Sequence, residues 1–156
     1  MSITHQNSAA RRIRGFSLVE VLIALVIMSV GMLGIAGLYV QSMQAGRTSM
    51  FRHHAVTIAG DVADRIRANP VAGAAYAAAG GVDSGCVGQD IDCSQPEMAS
   101  HDIFLWTQQV QAQLPVGQVV VTYDGVAIPP EYTIDVQWTE AGQALIYSIK
   151  IPVRAL

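Results

Sequence analysis

The sequence predicts an α+β fold in which one long N-terminal helix, apolar in its first half and amphipathic in its second, packs on a small antiparallel sheet. Three observations predict it. Phe16 to Val40 is a run of 25 positions with a single charged side chain, Glu20. Phe51, Ala55, Ile58, Ala59, Val62 and Ile66 then recur at spacings of three and four, with no proline before Pro70, so the helical period continues on one face only. Towards the C-terminus, three segments alternate apolar and polar positions, which is the period of a half-buried strand.

At about 1.5 Å per residue the apolar run is long enough to cross a hydrocarbon layer of roughly 30 Å. A carboxylate one turn into such a helix costs on the order of a few kcal/mol in lipid, so Glu20 is a functional candidate that needs a partner. The nearest cations, Arg11, Arg12 and Arg14, all precede Gly15 and read as a basic leader. A secretory signal would place small residues at a cleavage site after the apolar run. Val40 to Met50 offers no such site, so the cut belongs before the run. The basic cluster sets orientation by the positive-inside rule, with the leader cytoplasmic and everything after Val40 outside, in the periplasm of a bacterium.

A basic leader ending in Gly15, then Phe16-Ser17-Leu18-Val19-Glu20 and a long apolar helix, resembles the processing signature of type IV prepilins and type II secretion pseudopilins. The resemblance implies cleavage after Gly15 by a prepilin peptidase that also N-methylates Phe16, and it implies that Glu20 is the assembly residue. Its partner would be the new Phe16 amine, on the same subunit or a neighbour. The resemblance also implies a pilin fold, with a leader over 1–15, a transmembrane and assembly helix over 16–40, and a periplasmic globular domain over 41–156 that includes the amphipathic half of the helix.

Length and charge agree with one such unit. The chain has 156 residues and a formal charge of −3, which leaves space for a membrane helix and one small domain. Removing the three leader arginines leaves six basic against twelve acidic residues, about −6, so the body carries no basic footprint for nucleic acid. Cys86 and Cys93 enclose six residues in a polar, glycine-bearing stretch, and an oxidising periplasm favours a disulfide there. A metal site would want more thiolates or imidazoles than the nearby His101 supplies. His53 and His54 are adjacent and do not share a helical face, so they read as an exposed pair.

In chain order, Met1 to Arg14 has no apolar periodicity and is expected to be removed or unstructured. The helix from Phe16 to Ala68 stops at Asn69-Pro70. Its polar face carries Arg47, Arg52, Asp61, Asp64, Arg65 and Arg67, with Asp61 and Arg65 in the favourable i,i+4 order. This face reads either as solvated or as a subunit contact. Gly31, Gly34 and Gly37 allow a bend or a close helix neighbour. Residues 70–99 read as loop. A helix bearing Ile103, Trp106, Val110 and Leu114 follows, capped by Ser100 or Asp102 and ended by Pro115. Strands are expected through Val119 to Tyr123, Tyr132 to Thr139 and Leu145 to Val153, with Trp106 and Trp138 in the core.

The stretch Asp61 to Pro70, the cysteine loop, the helix with Trp106 and the strand Asp135-Val136-Gln137-Trp138 is similar to PilV-type minor pilins. That resemblance implies a structural role, priming type IV pilus assembly and supporting twitching motility. The partners would be the prepilin peptidase, other minor pilins, the major pilin and the inner-membrane assembly platform, and no cofactor is needed. The subunit would sit as a single-pass inner-membrane protein before assembly and at the cell surface afterwards. A type II secretion minor pseudopilin is the alternative, since it shares the N-terminal signature. No nucleophile with its base, phosphate-binding glycine loop or metal cluster can be read from the sequence, so an enzyme is not expected.

Overall fold

A computed structural model describes residues 15–88 and 91–153. Residues 1–14 of the expected leader (1–15) lie outside the described residues, as do Gln89 and Asp90 inside the cysteine loop and residues 154–156. The elements run α1 (Leu18–Ala68), a short 3-10 helix η1 (Pro70–Ala77), α2 (Gln95–Gln113), β1 (Gln118–Asp124), β2 (Glu131–Glu140) and β3 (Gln143–Pro152). The chain divides into two compact units, one up to Gln44 and one from Ala45 onward.

The first unit is helix. α1 stays helical through Gly31, Gly34 and Gly37, and every residue from Phe16 to Val40 is exposed. It is the one helix among the described residues long and apolar enough to cross a membrane.

In the second unit the apolar stripe of α1, Phe51 to Ile66, is buried in one core with α2 and the sheet. The expected α+β architecture is therefore present. The sheet is an antiparallel meander of order β1-β2-β3, and β2 at its centre alternates strictly, with Tyr132, Ile134, Val136 and Trp138 buried. These side chains meet the helix stripe because a period of two on the strand leaves one whole face apolar. Both indoles are core residues, Trp106 at 1% and Trp138 at 4% exposure.

Two expectations need correction. Residues 70–99 are not all loop, because Pro70–Ala77 forms η1, with Pro at its start and a kink at Gly73, where φ is 52°. Its Tyr76 is buried, stacked 5.6 Å from Trp106 and edge-on to Tyr132. An Ala-rich segment has no apolar period to read, and Tyr76 is the large side chain by which it enters the core. Second, α2 begins two turns earlier than expected. Ser94 is its cap, and the Ser94 N–H and hydroxyl both donate to the Glu97 carboxylate, at 2.8 and 2.7 Å. Those donors stabilise the charged form and lower the Glu97 pKa. Ser100 instead accepts from the Val82 N–H, and Asp102 is buried. Gly81 lies so close to α2 that a Cβ there would run into the backbone of Ser100 and Phe104.

Asp102 is the centre of an internal clasp. Arg65 on α1 donates to it at 2.7 Å and to Asp61 at 3.1 Å, while the Tyr76 hydroxyl of η1 donates to its other oxygen at 3.0 Å. Burial alone would lower the Arg65 pKa, but the two carboxylates outweigh it and the pKa rises. Arg65, on the face read from sequence as either solvated or a subunit contact, is half-buried and, through Asp102, links α1 to α2 and to Tyr76 of η1. Asn69, just past α1, donates to Gln95 O and to the Tyr76 hydroxyl. Arg67 and Asp64 form an exposed pair at 3.1 Å, the kind that contributes little. His53 is exposed and His54 half-buried.

Cys86 and Cys93 are disulfide-bonded. Closing a loop of about eight residues contributes about 2.5 kcal/mol by the chain-entropy relation. Alkylation of the unreduced protein should label neither cysteine, and reduction should lower the denaturation free energy by about that amount; full labelling of both without reductant contradicts the bridge.

Tyr132 donates to Gly73 O at 2.7 Å, and burial, with Tyr123 nearby, pushes its pKa up to about 12. Burial raises Tyr76 as well. A folded-state pKa above the unfolded value means that the stabilisation is whole below pH about 10 and is lost as pH rises toward 12. Urea denaturation followed by tryptophan fluorescence should show stability falling in that window. Tyr132→Phe should lose about 1 kcal/mol at pH 8 for the missing hydrogen bond and show a shallower alkaline fall; an unchanged alkaline fall would place the titration elsewhere.

Candidate assembly site

The candidate site is the start of α1. Gly15 and Phe16 precede the helix, both exposed, Phe16 at 82%. Ser17 stands immediately before the first helical residue, Leu18, and its hydroxyl accepts from the Glu20 N–H at 3.4 Å, while its carbonyl accepts from Val21 N–H at 3.3 Å. Ser17-Leu18-Val19-Glu20 thus has the spacing of a helix-capping sequence. That spacing places Glu20 in the first turn, where the partial positive charge of the free N–H groups favours an acid.

The Glu20 carboxylate is exposed and has no hydrogen-bond or ion-pair partner among the described residues. The Ser29 hydroxyl, by contrast, finds an acceptor within the helix, donating back to Leu25 O at 2.7 Å. Glu20 therefore stands as the one charge of an apolar cylinder with nothing in the helix to neutralise it. Chemically this arrangement can accept a cation. Among the described residues no group of three or more His, Cys, Asp or Glu side chains is placed to hold a metal ion.

The structure brings Gly15, Phe16 and Glu20 within two turns of one helix start, and it places Cys86 and Cys93 together in the loop before α2. What sequence reading missed is the clasp around Asp102, whose partner Arg65 lies 37 residues away. Only an acid inside the apolar period of α2, beside Ile103, signals it. A second missed contact is Thr48 on α1 donating to Glu140 at the β2–β3 turn.

Comparison with known proteins gives two matches. Residues 10–36 match the family model described as the prokaryotic N-terminal methylation motif, a span that contains Gly15, Phe16 and Glu20. Residues 37–104 match the family model described as Type IV pilin Tt1218, which runs from the end of the apolar run through η1 and the disulfide loop into α2. The chain matches no curated protein and no solved structure. Two family models thus place an N-terminal methylation motif and, directly after it, a type IV pilin region on this chain.

Proposed function

We propose that the protein is a PilV-type minor pilin of the type IV pilus, cut after Gly15 by prepilin peptidase, methylated at Phe16, and joined to other pilins to prime pilus assembly. The observation that carries this reading is the unpartnered Glu20 carboxylate on the first turn of an exposed apolar helix. Cleavage after Gly15 would create an amine one turn away. At a helix N-terminus that ammonium is opposed by the helix dipole, and its own transfer into an apolar medium is costly. Against Glu20, on the same subunit or the next, each charge offsets much of the other's desolvation. Axial register follows, because a slipped neighbour would leave both charges unpaired.

Under this reading residues 16–40 form the membrane-spanning and assembly helix and residues 41–156 a periplasmic domain. The second reading is a type II secretion minor pseudopilin, which the same N-terminal signature supports. Loss of surface pili and twitching on deletion selects the first; blocked protein secretion selects the second.

Glu20→Ala should insert and be processed like the wild type, yet co-purify with other minor pilins from membranes at a small fraction of the wild-type yield. Glu20→Gln should fail as well, since it keeps the shape and loses the charge. Wild-type co-purification and pilus number in Glu20→Ala would remove Glu20 from the assembly role.

A further inference from the structure

The two outer edges of the sheet are built differently. Their exposed backbone groups follow from two hydrogen bonds at its ends. Val153 N donates to Pro130 O at 2.8 Å, and Thr139 N donates to Pro115 O, on the β1 side, at 2.9 Å. With Tyr132 opposite Ile151 and Val121 opposite Ile134, antiparallel alternation turns the N–H and C=O groups of Leu145, Tyr147, Ile149 and Ile151 inward to β2. Those of Gln118, Val120, Thr122 and Asp124 turn inward from the other side. Outward-facing backbone therefore belongs to Ile146, Ser148, Lys150 and Pro152 on β3, and to Val119, Val121 and Tyr123 on β1.

The β3 edge carries guards. Pro152 has no N–H to present, and Lys150 places a charge where an added strand would lie. The stretch Gln118 to Tyr123 contains no Lys, Arg or Pro. It faces a groove of about 690 Å³, walled by Ala77–Gly80 on one side and Val116–Val121 on the other, with Ile103, Thr107 and Gln111 of α2 between them. No backbone hydrogen bond joins Val119 or Val121 on this outer side to a described residue. No ionisable side chain lines the groove.

We propose that this groove receives an extended, uncharged segment of a different subunit, which adds a fourth strand to the free edge of β1. Unmet N–H and C=O groups at strand spacing select a polypeptide backbone over other ligands. The uncharged walls select against Lys, Arg, Asp and Glu in that segment, because nothing there would pair a charge taken from water. The far wall, Ala77–Gly80, carries no side chain larger than a methyl group. A second copy of this chain is a poor occupant: its β3 edge would bring Lys150 into the uncharged groove, and its β1 edge is flanked by its own Ala77–Gly80. The surface belongs to the second unit and stands independently of the role of Glu20.

The test is amide hydrogen exchange on the full chain in detergent micelles, with and without an acetylated and amidated Thr-Val-Ala-Val-Thr peptide. In the free chain Val119 and Val121 should exchange at least ~10-fold faster than Val120 and Thr122, which are held by β2. The peptide should slow Val119 and Val121 by ~10-fold or more, while the same peptide with both valines replaced by lysine, or with its amides N-methylated, should not. Val119→Pro removes one outward N–H, as Pro152 does on β3, and should keep the disulfide unlabelled and the fluorescence native while losing peptide protection at Val121. Ala78→Trp, which fills the groove from its far wall, should give the same loss without touching the strand. Three results overturn the proposal: Val119 and Val121 already protected in the free chain, protection that grows with protein concentration alone, which would make a second copy the occupant, or no protection by the peptide at millimolar concentration.

Discussion

A carboxylate leaves water only in the company of a cation or of several donors, because its desolvation costs several kcal/mol that no apolar contact returns. Asp102 and Glu20 stand on opposite sides of this constraint. Asp102, its side chain 5% exposed, holds Arg65 and the Tyr76 hydroxyl inside the same domain. Glu20, on the apolar half of α1, has no partner among the described residues. The first acid is satisfied by folding, and we read the second as satisfied by assembly.

That difference matches what the two halves of α1 are made of. From Phe51 to Ile66 the helix is apolar on one stripe and buries it against the sheet, so its charges can point to water or, like Arg65, reach across to another element. From Phe16 to Val40 it is apolar all round and exposed, which gives a helix no solvent-seeking face. Under the proposed function the Phe16 amine, on the same subunit or a neighbour, meets the charge there. The N-terminal methylation motif and the type IV pilin region fall on these two halves in turn, joining near the end of the apolar run.

Much of this was legible in the sequence because it is periodic. The helix and its stop at Asn69-Pro70, the three strands, the buried indoles and the bridge between Cys86 and Cys93 all follow from spacing, turn chemistry or compartment. The features that were not legible depend on partners far along the chain or on signals outside the apolar period. η1 is held by Tyr76 against Trp106 and Tyr132, contacts that no local pattern encodes. The true start of α2 was written as Ser94-Gln95-Pro96-Glu97, a cap with its Glu three residues on, but it sits ahead of the apolar residues that drew the boundary later. Arg65 shows the limit most clearly, since its i,i+4 pairing with Asp61 is real and yet its stronger contact is 37 residues away. The open edge of β1 needed register as well as periodicity, and the sequence carries only the second.

Whether Glu20 is an assembly residue turns on whether a free amine ever exists beside it. Accurate mass of the N-terminal peptide, taken from the protein recovered from membranes of cells that carry a prepilin peptidase, decides this. The expected species begins at Phe16 and is heavier than the unmodified peptide by one CH2, a methyl group in place of a hydrogen. An N-terminus at Met1, or one beyond Val40, would contradict the pairing, since no ammonium would then stand one turn from the Glu20 carboxylate.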